Sequence, residues 1–158
     1  MTTKAIIIDD EETPRETLKM MLKIYAPEVE VIAEADGVKT GIQAIKKHNP
    51  DLVFLDIHMG DGSGFDLLSN FASYNFKVVF VTAYEEYAIK AFRFSALDYL
   101  VKPITPEDLV QAINKISVLL ENKLINKQLD VLKNNYLGVD QSFGKIILKT
   151  AEAIYIVD

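Results

Sequence analysis

Cysteine is absent from the 158-residue chain. That lack removes disulfides, thiolate metal sites and cysteine nucleophiles together, and it fits a reducing compartment. Positive charge is in deficit: 17 Lys and Arg face 23 Asp and Glu, a net charge of −6. Such a surface is a poor grip for the phosphates of nucleic acid. No apolar run approaches the ~20 residues of a membrane span. Met1-Thr2-Thr3-Lys4 leads into four apolar residues and then into acids, which excludes a secretory signal in that stretch. Internal repeats and low-complexity segments are also missing. What remains is an ordinary globular composition, 49% hydrophobic and 25% charged. The length sets the expectation of about one domain with a tail to spare. A chain of this size buries roughly two-thirds of its extended surface without staples.

Short β-rich runs alternate with amphipathic segments. Residues 5–8, 29–33, 52–55, 78–81 and 97–101 read as strands, and 5–8, 52–55 and 78–81 are unbroken apolar runs. Residues 13–25 place Leu18, Met21, Leu22 and Tyr25 at helical spacing, with Thr13 as a cap and Pro14 in the first turn. Residues 37–48 bring Ile42 and Ile45 to one face and stop at Asn49-Pro50. Residues 65–71 and 85–94 are two more predicted helices, the second with Ala88, Ala91 and Phe92 turned inward. The glycine-rich stretch 60–64 is a turn, since no Gly-x-x-x-x-Gly-Lys-Ser/Thr phosphate cradle exists. Thr105-Pro106-Glu107-Asp108 starts a last helix with a cap, a proline and first-turn acids. Five strands separated by helices predict an α/β fold, a parallel sheet doubly wound by helices on both faces. Strands buried on both sides need not alternate, which the apolar runs support.

The last helix outlasts one domain. Leu109, Ile113, Ile116 and Leu120 follow a 4-3-4 spacing, and Ile125, Leu129, Leu132 and Tyr136 repeat it in a shifted register. Two readings stand: a helix running on into a coiled-coil-like linker, or one ending near Leu120 with a polar connector behind it. Residues 145–150 and 153–157 read as two strands around a turn. Such a pair is marginal alone, so they look like the opening of a second domain.

In doubly wound sheets, ligands bind beyond the carboxyl ends of the strands. Asp9 and Asp10 follow the first strand and Asp56 the third, and these strands are neighbours in such a sheet. Grouping carboxylates is costly: two unit charges ~4 Å apart repel by about 1 kcal/mol in water and about 4 kcal/mol at an effective dielectric of 20. A divalent cation offsets that repulsion, and oxygen-only ligands point to Mg2+ or a similar hard ion. Thr82 ends the fourth strand and Lys102 the fifth. A hydroxyl and an ammonium beside a carboxylate–metal cluster make a phosphoryl site, in which Asp56 is the nucleophile forming an aspartyl-phosphate. Each member has an ordinary structural role available: a strand-to-helix cap, a strand threonine, a surface lysine. Their joint placement on successive strand ends is what carries the signal. His48, at a helix end, reads as a solvated residue favoured by the helix dipole.

Residues 5–10 (AIIIDD), 51–59 (DLVFLDIHM), 81–83 (VTA) and 97–103 (LDYLVKP) resemble the signature of the response-regulator receiver domain. The resemblance covers roughly residues 4–120. Residues 91–104 (AFRFSALDYLVKPI) resemble more narrowly the receivers of the LytTR type. The resemblance implies a flavodoxin-like sheet of order 2-1-3-4-5, and Asp56 accepting a phosphoryl group from the phosphohistidine of a sensor kinase. It further implies Mg2+, with Mn2+ as a substitute, held by Asp10, Asp56 and the His58 backbone carbonyl, with Asp9 acting through water. Thr82 and Lys102 are implied to contact the phosphate, Thr82 and Tyr99 to switch, and the Lys102–Pro103 bond to be cis. The resulting layout is a receiver over 1–121, a helical linker over 122–142, and the incomplete start of a LytTR-type DNA-binding domain over 143–158. The protein would be a cytoplasmic phosphoacceptor rather than a turnover enzyme, with no membrane contact. It would pair with itself through the fourth helix, fifth strand and last helix or through the linker, and reach DNA only through the rest of its output domain.

One departure stands out. The family's pattern usually places Pro four residues after the acceptor, and here that place is Gly60. His58 and Tyr84 flank the path of attacking water in the family, and their bulk predicts slow self-dephosphorylation. Three rival readings remain. A flavin mononucleotide carrier needs backbone N–H groups after the first strand, where Asp-Asp-Glu-Glu stands instead. An aspartyl phosphatase of the haloacid-dehalogenase type needs a second Asp at the place of His58. A stand-alone receiver acting as phosphate sink or docking module shares every site residue, and the strands after Gly138 argue against it.

Overall fold

A computed structural model of the chain describes residues 2–135. The elements are β1 (Thr3–Ile8), α1 (Glu12–Tyr25), β2 (Val29–Ala35), α2 (Val38–His48), β3 (Leu52–Leu55), β4 (His58–Met59), β5 (Gly62–Ser63), α3 (Gly64–Ser69), β6 (Lys77–Thr82), a 3-10 turn (Glu85–Tyr87), α4 (Ala88–Arg93), β7 (Asp98–Val101) and α5 (Pro106–Asn135). β2, β1, β3, β6 and β7 form one parallel sheet in that order. With the small β4–β5 hairpin set aside, this is the doubly wound 2-1-3-4-5 order. The residues up to Ile116 make one compact unit and those from Ser117 a second.

Strand alternation explains why both faces need cover. Ile6, Ile8, Val53, Leu55, Val78 and Phe80 point to one side and pack with Phe65, Leu67 and Leu68 of α3. The intervening Ala5, Ile7, Phe54 and Val79 are equally buried, as are Leu18, Leu22, Leu109 and Ile113 of α1 and α5. Each fully buried aliphatic contributes about 1.5–3 kcal/mol relative to exposure, and in β1, β3 and β6 only Lys4 and Lys77, near the amino-terminal ends of their strands, are exposed. Gly41 lets α2 sit close: a Cβ there would lie 2.7 Å from Leu67 Cδ1 and 3.0 Å from Ile8 Cδ1.

Several expectations are corrected. α1 starts at Glu12 with Glu11, not Thr13, at the cap position, and Glu11 makes no side-chain cap bond. The Asp9 carboxylate instead accepts the Glu11 N–H at 2.9 Å, turning the chain early. The expected 85–94 helix begins as a 3-10 turn, whose tighter winding rotates the face that follows. Ala91 is buried, while Ala88 is exposed and Phe92 is 83% exposed. Of the expected 60–64 turn only Gly60 and Asp61 turn: Gly62–Ser63 form β5, paired with β4 and too short to read from the sequence, and Gly64 starts α3. α5 runs unbroken to Asn135, through the place where a connector was the other reading, because no glycine or proline interrupts it. Thr105 caps it, accepting the Asp108 N–H at 3.2 Å. The rest of the 122–142 segment and all of 143–158 lie outside the described residues.

Candidate functional site

The carboxyl ends of β1, β3, β6 and β7 deliver the site. Asp9 follows β1 and is buried, Asp10 beside it is exposed, and Asp56 follows β3 and is buried. Carboxylate oxygens of these three lie within 4.8 Å of one another. Lys102, one residue past β7, places its Nζ 2.6 Å from Asp9 Oδ2 and 3.2 Å from Asp56 Oδ2. Its peptide bond to Pro103 is cis. Thr82 closes β6, fully buried, and its hydroxyl accepts the Tyr84 N–H at 3.4 Å. The other Asp56 oxygen accepts the Ile57 N–H at 2.7 Å. A cleft of about 460 Å³ opens over the cluster, lined among others by Asp10, Asp56, His58, Ala83, Tyr84 and Lys102.

The charges are unevenly matched. Burial pushes the Asp56 carboxyl above its ordinary value, and the negative charge of Asp9 adds to that; the Lys102 ammonium pulls the other way without cancelling it. Burial would lower Lys102, but its bond to Asp9 and the charges of Asp56 and Asp9 hold it above the usual lysine value. Two buried carboxylates thus share one ammonium, with the exposed Asp10 carboxylate close by and no such partner for it among the described residues. All three offer hard oxygen donors, so the residues present fit a hard divalent cation by donor chemistry and by the charge left uncompensated.

The remaining predicted residues sit around this centre. His58 is exposed beside the cleft, its ring edge-on to Tyr84 at 4.4 Å and to Tyr87 at 5.2 Å between centroids. Tyr99 is half-buried on β7, tilted against Phe80, and its hydroxyl donates to the Tyr84 backbone carbonyl. Burial raises its phenol above the ordinary value.

Two supporting residues escaped the sequence reading. Arg15 donates to the Asp9 carbonyl at 2.7 Å and lies 3.6 Å from Glu34, bracing the turn that carries the acid pair. Its position, one turn into α1, is the only sequence cue. Asp61 accepts from the Val38 and Lys39 N–H groups at 2.8 and 3.1 Å, and these bonds hold its carboxyl below the ordinary value. No local pattern announces that bond, because its partners lie more than twenty positions away.

Fold and cleft together define a doubly wound α/β domain with a cation-ready acid cluster and a lysine at the carboxyl edge of its sheet. The chain belongs to the response regulator receiver domain family, whose sequence model matches residues 5–114; it is a receiver of a two-component response regulator. It is 34% identical over 157 residues to the sensory transduction protein LytT of Bacillus anthracis, covering 98% of this chain and 62% of that protein. It is 43% identical over 117 residues to LytT of Enterococcus faecalis, covering 71% and 47%. The chain therefore spans about three-fifths or less of these curated relatives. Among solved structures, the REC domain of AraT, a response regulator from Geobacillus stearothermophilus, matches with TM-score 0.71 and 29% identity over 78% of this chain and 99% of that one. A DNA-binding response regulator of the LuxR family from Staphylococcus aureus matches with TM-score 0.65 and 30% identity, covering 72% and 98%. Among the described residues no helix is long and apolar enough to cross a membrane.

Proposed function

We propose that Asp56 is the phosphoacceptor, taking its phosphoryl group from a phosphohistidine of a sensor kinase. The observation that carries this reading is the clasp of Asp56 and Asp9 on one ammonium, 3.2 and 2.6 Å from Lys102 Nζ, in a cleft that Asp10 also lines. In the transfer, an Asp56 carboxylate oxygen attacks phosphorus. An O–P bond forms, the P–N bond breaks, and the departing imidazole keeps the electron pair. Lys102 faces the oxygens of the transferred group, and the Thr82 hydroxyl donates to one of them. Asp10, Asp56 and the His58 backbone carbonyl would hold Mg2+, or Mn2+ in its place, with Asp9 supporting the site through water. The ion, when bound, neutralises phosphoryl oxygens and offsets the grouped carboxylates. Turnover is not required: one phosphorylation per chain, followed by slow hydrolysis, is the signalling event.

Thr82 and Tyr99 form the switch in this reading. A phosphate on Asp56 draws the Thr82 hydroxyl, and with it the 83–84 backbone whose carbonyl holds the Tyr99 hydroxyl. The α4–β7–α5 face is thereby biased between two states. That face, or the later turns of α5, pairs with a second copy of the chain. The protein acts in the cytoplasm, and DNA is reached through an output domain of LytTR type that begins near residue 143, behind a linker over 122–142. Intact-mass measurement after acetyl phosphate, with and without Mg2+, tests the core of this. A single Mg2+-dependent gain of one phosphoryl group, abolished in Asp56→Asn, is expected; labelling that persists in the variant places the acceptor elsewhere.

A further inference from the structure

After Asp56, Ile57 and Met59 reach into the core, but the backbone hairpin that follows carries little constraint of its own. His58 and Met59 pair with Ser63 and Gly62 in a two-stranded hairpin closed by Gly60 and Asp61, and a unit this short has no independent stability in water. Gly60 adds freedom, with nothing within 4 Å of where a Cβ would stand. Something outside the hairpin must hold it.

Asp61 is placed to do so. α2 begins after Gly37, a cap position with no side chain to accept the first free N–H groups of the helix. The Asp61 carboxylate takes that role from the tip of the hairpin, with Oδ1 2.8 Å from the Val38 nitrogen and Oδ2 3.1 Å from that of Lys39. The fit is reciprocal: a Cβ on Gly37 would lie 2.7 Å from Asp61 Oδ1, so the glycine makes room for the carboxylate. On its other side the hairpin is tied to α3. Ser63 and Asp66 form a capping box at 3.0 and 2.9 Å, and the Gly64 N–H donates to the Ile57 carbonyl at 2.8 Å.

We infer that Asp61 is a positioning residue: seated on the start of α2, its carboxylate holds the 57–59 segment in place beside Asp56, replacing the ring constraint that Gly60 does not supply. The consequence for the phosphoryl site rests on the proposed roles of Asp56 and the His58 carbonyl; the mechanical tie stands without them.

Amide hydrogen exchange on the metal-free protein, read by mass spectrometry, separates this from an ordinary helix cap. Asp61→Ala should speed exchange in 57–63 as well as in 38–41, by about fivefold, the opening expected for loss of a cap-strength tie. Adding Gly60→Pro should restore protection in 57–63 and leave 38–41 fast. Thr40→Ala removes the hydroxyl that bonds Asp36 at the same helix end, and it should speed 38–41 alone. Apparent Mg2+ affinity should fall in Asp61→Ala and recover in the double variant. Faster exchange confined to 38–41 in Asp61→Ala, or a double variant still fast in 57–63, overturns the inference. If Asp61→Ala does not fold, Asp61→Asn keeps one acceptor oxygen and is read in the same way at smaller amplitude. Mg2+-dependent labelling of the parent is a separate readout: its failure defeats the functional reading and leaves the exchange result intact.

Discussion

At the scale of single residues, the receiver site is a set of charges the fold tolerates rather than welcomes. Burial raises the Asp56 carboxyl above its ordinary value. The folded chain therefore binds that proton more readily than the unfolded chain, so the contribution of this group to stability is present at low pH and lost as pH rises through the folded pKa. At neutral pH the ionised carboxylate opposes folding, and an uncharged isostere should relieve it. Asp56→Asn in chelator at pH 7 should raise Tm by about 3 °C, on the order of 1 kcal/mol of relieved repulsion. The gain should fade toward pH 4, and thermal scans across that range showing a pH-independent gain, or none, contradict the account. Lifetime is a second property of single side chains. The His58 ring sits edge-on to Tyr84 at the rim of the cleft; if Asp56 carries the phosphoryl group as proposed, their bulk should exclude attacking water. His58→Ala with Tyr84→Ala should shorten the phosphoryl half-life by about tenfold, equivalent to roughly 1.4 kcal/mol of barrier. An unchanged decay of the labelled mass removes the idea.

Secondary-structure elements meet at glycines, and two of these give opposite expectations. At Gly41 an added Cβ meets the side chains of Leu67 and Ile8, both fully buried. Alanine there gains about 1 kcal/mol of helix propensity against about 1–3 kcal/mol of overpacking. Gly41→Ala should therefore lower Tm, by about 2–4 °C. At Gly60 the added methyl meets open space, and Gly60→Ala should be neutral or stabilising by up to about 1 kcal/mol; thermal melts followed by circular dichroism rank the pair. These elements also show what was legible in the sequence. The unbroken apolar strands and the residues ending them, Asp9, Asp56, Thr82 and Lys102, announced both sheet and cleft because burial on two faces and a ligand edge leave a linear trace. The Asp61 tie left none, since its partners are brought near only by the fold; the β4–β5 hairpin is local but only two residues a strand, and Arg15 offered no more than its place one turn into α1. Phe92 was misread for a related reason: the 3-10 turn before α4 shifts the helical phase, and hydrophobic spacing alone does not record it.

For the molecule as a whole, the unexplained feature is the later part of α5. Val118, Ile125 and Leu132 recur every seventh residue and are 55%, 52% and 50% exposed. Asn122 and Leu129 fall between them, completing a 4-3-4-3 spacing. A seam of that period matches a two-stranded coiled coil, and a lone Asn at an inner position is the device that fixes register between like helices at some cost in affinity. Little more than two heptads are available here, so the association should be weak, on the order of tens of micromolar as for other small interfaces. Sedimentation equilibrium from low micromolar to near-millimolar concentration should show a reversible monomer–dimer equilibrium. Leu132→Lys should abolish it while leaving the Tm of the receiver unchanged, because the side chain is half-exposed and its loss opens no cavity. Asn122→Leu should tighten association and blur its stoichiometry, since the residue that penalises other registers is gone. Beryllofluoride with Mg2+, standing in for the phosphoryl group, should strengthen the parent dimer if the switch and the seam are coupled, and leave it unchanged if they are not. A chain that stays monomeric throughout, with Asn122→Leu equally monomeric, would assign this stripe to some other surface and leave the α4–β7–α5 face as the remaining route to self-association.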